Sequence, residues 1–291
     1  MNLLLKFNLI LLVVFGIALV PVAKLSKDLL QSNARDQVTE NARLMMDAAL
    51  AMRGYTNKQI KPLIASQLAE KFLPQSVPAY SATEIFNDLR VKNPQYAYKE
   101  ATLNPTNPRD RTVDWEADVV NIFRGDAKKT ELIGERDTPE GRSLYLAKPI
   151  RITDPGCLGC HTTPDVAPAS MVAAYGPNNG FGWLLNEVVG AQIVSVPMAV
   201  PIEKANSALR RLIQSFAGVF ALTLVMLNLM LHFFVIRPIR QLAHVANEVS
   251  TGNMDVPEVA AKGNDEVAAL TTSFNRMRIS LSKALKMLEE G

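Results

Sequence analysis

Between Arg211 and Arg237 the chain runs for 25 residues, Leu212 to Ile236, without a formal charge. A helix needs about 20 predominantly apolar residues to cross the hydrocarbon of a bilayer, and Arg210, Arg211, Arg237 and Arg240 anchor both ends of this run. An ordinary soluble fold is therefore excluded. A second apolar segment opens the chain, where Phe7 to Ala23 carry no charge after Lys6. It reads as an uncleaved anchor, because the one plausible exit for signal peptidase, Pro21-Val22-Ala23, places proline in the cleavage window. The expected spans are 1–23 and 212–236, with 24–211 between them. Within the second span Gln214, Asn228 and His232 are polar, and in hydrocarbon such groups hydrogen-bond to another helix, here read as a contact within a dimer. Thirty-one Lys and Arg against 28 Asp and Glu leave a formal charge of +3, which gives no electrostatic reason for a nucleic-acid partner.

The segment after Ala23 holds no proline or glycine as far as Met52, and Leu30, Ala34, Val38, Ala42, Met45, Ala49 and Met52 recur at helical spacing. The first span is expected to continue as one amphipathic helix ended by Gly54, with further helices over 58–72 and 82–90, the latter capped by Ser81 and Glu84. YAYKEATL, SLYLAKPIRI and GAQIVSVPM alternate as strands do, separated by the turn-rich NPTNPRD, DTPEG and YGPNNG. An α+β domain between two membrane helices follows.

The chemistry is concentrated in DPGCLGCHTTP. Cys157, Cys160 and His161 form Cys-x-x-Cys-His, in which two thiols reach the two vinyl groups of a haem and the imidazole becomes the proximal iron ligand. Zinc would need four ligands, and the other histidines, His232 and His244, lie in the second span and beyond it. A thioredoxin-type pair would open a helix in a parallel βαβ unit, whereas this motif follows a Pro-Gly turn. The expected cofactor is haem c, covalently held, with iron. Attachment of this kind takes place outside the bacterial cytoplasm, which puts 24–211 in the periplasm, both termini in the cytoplasm and the chain in the inner membrane. With no second histidine available there, Met45 and Met46 are the candidate distal ligands, and an open sixth position for a small gas is the alternative. Arg53, Lys99 and Arg111 are candidate propionate partners.

Beyond the second span, Ile239, Leu242, Ala246 and Val249 form one short seam and Val267, Leu270, Phe274, Met277, Leu281, Ala284 and Leu288 a second, with Gly252 breaking the first. Two such helices per chain make a stable core when two chains pair, so a homodimer is expected. Pro238-Ile239-x-x-Leu242, Gly252, Asp265-Glu266-Val267-x-x-Leu270 and Phe274-Asn275-x-Met277 resemble a HAMP domain, the two-state relay of transmembrane receptors, placed at 237–291. The chain stops at Gly291 without a kinase, methyl-accepting or cyclase domain, so the expected output is a separate cytoplasmic signalling protein, a kinase or similar.

Residues 53–56, Tyr98–Val120, the haem motif, Tyr175–Trp183 and Gly190–Met198 resemble the Tll-type c-haem domains, PAS-like extracytoplasmic sensor modules. The resemblance implies a haem pocket closed by the N-terminal helix, with a distal ligand that can be cysteine, for which this sequence has no spare residue. Trp115, Trp183 and Phe181 read as packing residues. The expected function is a membrane-bound haem-based sensor of redox state or gas, and not an enzyme, since no second histidine serves as distal acid-base catalyst. The alternative is a membrane-anchored c-type cytochrome for electron transfer with a HAMP-like dimerisation tail.

Overall fold

The structure is a computed structural model that describes residues 3–139, 141–260 and 263–289. The burial of Leu288, the last residue of the expected second seam, and the outermost residues of the expected 1–23 and 237–291 segments lie outside what is described. The chain divides into two compact units, one of residues 25–209 and one of residues 1–24 with 210–291.

The first unit is built on an antiparallel sheet of β1 (Ala97–Thr102), β2 (Leu132–Thr138), β3 (Gly141–Arg151) and β4 (Val188–Pro197), in the order β1-β4-β3-β2. Alternation along the strands sends two sets of side chains to opposite faces. Tyr98, Leu144, Leu146, Val194 and Val196 meet Val38, Ala42, Met46 and Ala49 of α1 (Leu3–Tyr55) and Ala82 and Phe86 of α2 (Pro78–Lys92). On the other face Ala101, Ala147, Ala191 and Ile193 receive Val119, Val120 and Phe123 of α3 (Asp114–Gly125). The result is the expected α+β domain with helices covering an antiparallel sheet, the PAS-like arrangement.

Three local expectations change. Gly54 does not end α1, which runs to Tyr55 and passes into a π-helical turn over Thr56–Ile60. The helix expected over 58–72 is split into Lys61–Leu63, with Pro62 in its first turn, and Ala65–Glu70, the break falling at Ile64 where the backbone leaves helical geometry (φ −104°, ψ 15°). The cap at Ser81 is also absent: Pro78 takes the first position of α2, four residues earlier than expected, with Val77 before it. Ser81 Oγ instead turns back to the Gln75 and Val77 carbonyls, and Glu84 pairs with Arg109.

Two helices are long and apolar enough to cross a membrane, one near the N-terminus and one over Ala199–Ser250. They flank the α+β domain in sequence. In the second unit the two spans meet through a reciprocal amide pair, Asn8 Nδ2 to Asn228 Oδ1 at 2.9 Å and Asn228 Nδ2 to Asn8 Oδ1 at 2.8 Å. About two turns of helix away, the Phe15 and Phe220 rings stack at 3.8 Å. The polar partner expected for Asn228 in a second chain is thus supplied within this one. α4 (Ala199–Met230) loosens into a π-helical turn at Leu231–Ile236 before α5 (Arg237–Ser250), again just ahead of a proline, Pro238. Gly252 then closes α5 at φ +97°, a conformation that costs a residue with a side chain about 1 kcal/mol or more.

The last helix, α6 (Glu266–Glu289), begins where Asp265 Oδ1 accepts the Ala268 N–H at 2.8 Å. Leu242 and Val249 of α5 and Ala268 of α6 are buried, while Ile239, Leu270, Met277 and Leu281 are exposed in the single chain. The connector is tied down by Asn275 Nδ2, which donates to the Val259 carbonyl at 2.8 Å, and by Arg278, which donates to that of Val256. Glu266 is exposed and Phe274 half-buried.

Candidate functional site

Asp154 opens the cysteine motif by accepting the Gly156 N–H at 2.8 Å, which starts a single 3₁₀ turn over Pro155–Cys157 and then the short helix Leu158–His161. That one helical turn brings Cys157, Cys160 and His161 to one place. Both cysteines are free and half-buried. Burial pushes both thiols up, with Asp154 adding to the effect at Cys157, while Lys61 opposes it at both and Arg53 at Cys157. A raised thiol is a poor nucleophile at neutral pH, the reverse of what a disulfide-exchange pair requires.

His161 is held from three sides. Its Nδ1 donates to the Gly180 carbonyl at 2.7 Å, its ring stacks on Trp183 at 3.8 Å and 9°, and Thr106 Oγ1 lies 3.4 Å from the same nitrogen. The carbonyl fixes the tautomer, because it can only accept, and so Nε2 keeps its lone pair. Burial lowers the His161 pKa, only partly opposed by the Gly180 contact, and favours this neutral form. An imidazole whose second nitrogen donates to a backbone carbonyl is the usual state of a metal-ligating histidine.

The carbonyl is itself positioned. Asn104 accepts the Gly180 N–H at 3.2 Å and donates to the Phe181 carbonyl at 3.3 Å, so one amide clamps both sides of the turn. Two strand-like bonds, Gly182 N to Thr162 O at 2.9 Å and Trp183 N to His161 O at 3.2 Å, fasten the turn to the motif. Gly180 sits at φ +84°, and a Cβ there would lie 2.8 Å from Thr106 Cα. Only glycine allows the two loops to approach so closely.

The donor set fits iron already held by a porphyrin. Among the described residues no three His, Cys, Asp or Glu groups converge on a metal position; His161 would hold the iron of a haem, and Cys157 and Cys160 would hold its porphyrin. Met46 is fully buried in the apolar cluster of α1, α2 and the sheet, and Met45 packs partly against it. The expected propionate partners are already engaged: Arg53 with Glu100, Lys99 with Glu116 at 2.6 Å, and Arg111 with Asn179 at 2.8 Å. Lys61, near both cysteines, went unnoticed in the sequence, as did Asn104 and Gly180. The only signal for the last two was their place in turn-rich stretches, which does not reveal that the stretches meet. Trp183 packs as expected, though its partner is the site histidine. Trp115 lies 5.3 Å from Tyr145 and under Arg136.

Comparison with known proteins agrees with this architecture. The profile of the Tll0287-like family matches residues 31–197, and that of the HAMP domain matches residues 230–283. One solved structure, the cyanobacterial heme-protein Tll0287, is matched at 14% identity and a TM-score of 0.37, over 57% of this chain and 91% of that one. No curated protein matches. With its mixed domain of helices and antiparallel sheet spanned by that first profile, the chain belongs to the Tll0287-like family and carries a HAMP domain behind its second apolar helix.

Proposed function

We propose that this protein is a homodimeric inner-membrane sensor in which haem c is attached through Cys157 and Cys160, with His161 as the proximal iron ligand, and in which the HAMP domain relays the state of that site. The observation that carries the reading is the His161 cradle: a neutral imidazole with Nδ1 committed to Gly180 follows directly on the free Cys160 and stands one turn from the free Cys157. The name of the solved relative, a heme-protein, supports the same cofactor. When bound, the haem supplies an iron that changes oxidation state or takes a small gas. The protein's part is to orient His161 through Gly180, Asn104 and Trp183, and to join the domain to helices that end in a relay. Of the two methionines considered for the sixth position, Met46 is enclosed on all sides and Met45 keeps partial access.

In this reading 24–211 is periplasmic, 1–23 and 212–236 span the membrane, and 237–291 lies in the cytoplasm, where exposed Ile239, Leu270, Met277 and Leu281 pair with a second copy. The relay acts on a separate cytoplasmic signalling protein, and no catalytic turnover is proposed. A stimulus moves the relay only if it favours one of two packings, so ferric, ferrous and carbon-monoxide-bound protein must differ. The test is disulfide cross-linking between second spans in the dimer, in membranes whose protein carries covalent haem on a stained gel and loses it in the Cys157→Ala, Cys160→Ala variant. Haem staining with state-dependent cross-linking supports the proposal; absent haem or unchanged cross-linking overturns it.

A second reading, a membrane-anchored electron carrier with a dimerisation tail, draws on the partial exposure of Cys157, Cys160 and His161, which would bring a haem edge near solvent. Fast self-exchange without gas binding or cross-link changes would favour it.

A further inference from the structure

Apart from the cysteine motif, a cavity of about 390 Å³ opens over the sheet, lined by residues of α2, the start of α3, β1, β4 and, in Arg136, β2. Four cations and two carboxylates line it: Arg90, Lys99, Arg109 and Arg136 with Asp110 and Glu116. Two of the cations are neutralised locally. Lys99 Nζ donates to Glu116 Oε2 at 2.6 Å, and Arg109 binds Glu84 while its Nε lies 3.8 Å from Asp110. Among the described residues, Arg90 and Arg136 have no carboxylate partner.

Arg136 is also held ready. Its guanidinium lies over the Trp115 ring, 4.1 Å from the centroid, and among the described residues its N–H groups have no hydrogen-bond partner. A guanidinium stacked in this way matches a planar carboxylate with two parallel donors. Trp115 and Ile193 give the cavity apolar wall, and Asn87 and Ser195 add neutral polar groups. The volume is at the small end of the usual ligand range of roughly 300–1,000 Å³, too small for a folded peptide or dinucleotide.

We propose that this cavity binds a small organic carboxylate, whose carboxylate group is taken by Arg136 and Arg90 and whose carbon body lies against Trp115 and Ile193. The apolar wall selects an organic anion over inorganic phosphate, which would leave it unfilled. The site is formed by three strands of the sheet and two helices, and it stands or falls independently of the haem reading.

The test is isothermal titration of the full-length protein in detergent, at fixed ionic strength, with succinate, L-glutamate, benzoate and inorganic phosphate. At least one of the three carboxylates binds at one per chain and more tightly than phosphate, Arg136→Gln weakens it tenfold or more, and Lys128→Gln, an equal loss of charge elsewhere, leaves it unchanged. Should Arg136→Gln lower the melting temperature, Arg90→Gln on the exposed last turn of α2 gives the same readout. No binding by any of the three, phosphate binding as tightly as the best of them, or equal affinity in both cavity variants overturns the proposal.

Discussion

His161 Nδ1 and the Gly180 carbonyl oxygen lie 2.7 Å apart, although 19 positions separate the two residues in the chain. This bond joins the cysteine motif to the glycine-rich turn that follows it. The turn in turn leans on the Asn104–Asp110 loop, so one short helix and two loops determine where the imidazole points.

Gly180→Ala is expected to disturb this site more than Gly182→Ala. Both glycines have positive φ, +84° and +80°, but an added Cβ meets Thr106 only at position 180. The φ penalty of roughly 1–3 kcal/mol applies to both, and the clash is added at Gly180 alone. Thermal melting and haem staining of the two variants measure the difference.

Asn104→Ala frees the turn without touching His161. With the Gly180 carbonyl no longer fixed, the donated Nδ1 proton is held less well and the imidazole becomes a weaker donor to iron. The expected result is a higher midpoint potential, by on the order of tens of millivolts for a hydrogen bond worth about 1 kcal/mol. Potentiometric titration of haem-loaded protein reads it, and an unchanged potential refutes the positioning role.

Glu100 is 3% exposed and accepts from both Arg53 and the Tyr98 hydroxyl, the latter at 2.6 Å. Burial first, and then the neighbouring Glu100 charge, push the Tyr98 hydroxyl far up, so it remains a donor. Arg53→Ala strands the carboxylate and is expected to cost about 3 kcal/mol. Arg53→Met combined with Glu100→Gln costs less than the sum of the two single changes, a non-additivity that thermal melting of Arg53→Met, Glu100→Gln and the double variant detects.

Asn228→Leu leaves Asn8 without its amide partner in hydrocarbon, at a cost of about 1 kcal/mol. Replacing both by Leu recovers part of it. Cysteines at positions 15 and 220, where the phenyl rings now stack, should cross-link less in Asn228→Leu than in the parent or the double variant.

Burial lifts the Asp110 carboxyl from 3.8 to about 6, with the Glu100 and Glu84 charges adding to it and Arg109 and Lys99 opposing. Folding thus favours the protonated acid. Its contribution to stability is full below about pH 3.8 and is lost as pH rises to about 6. Asp110→Asn removes that slope, and melting curves between pH 4 and 7 should converge accordingly.

Much of the fold was legible where a repeat or a motif spoke for itself. The uncharged run at 212–236, the stripe through Ala34, Val38, Ala42 and Ala49, the alternation in β3 and β4, and the Pro238 to Phe274 pattern each carry their meaning within a few turns of chain. β2 did not, because as an edge strand it is half-buried along almost its whole length and shows no alternation. α3 was hidden by its charged first turn, where Glu116 is buried because it accepts the Val113 N–H at 3.0 Å and pairs with Lys99.

For the candidate site, the sequence by itself determined the donor atoms: two thiols and an imidazole at a spacing that one helical turn makes adjacent. It also determined the two long apolar helices and the HAMP domain, since hydrocarbon thickness and heptad packing are read from local composition. Only the tertiary structure decided which tautomer His161 holds, that Asn104 and Gly180 support it, that Asn8 answers Asn228, and that Arg136 is left unneutralised over Trp115. The reason is physical: orientation, burial and charge balance depend on groups brought together from distant parts of the chain, and no local pattern of residue types encodes those encounters.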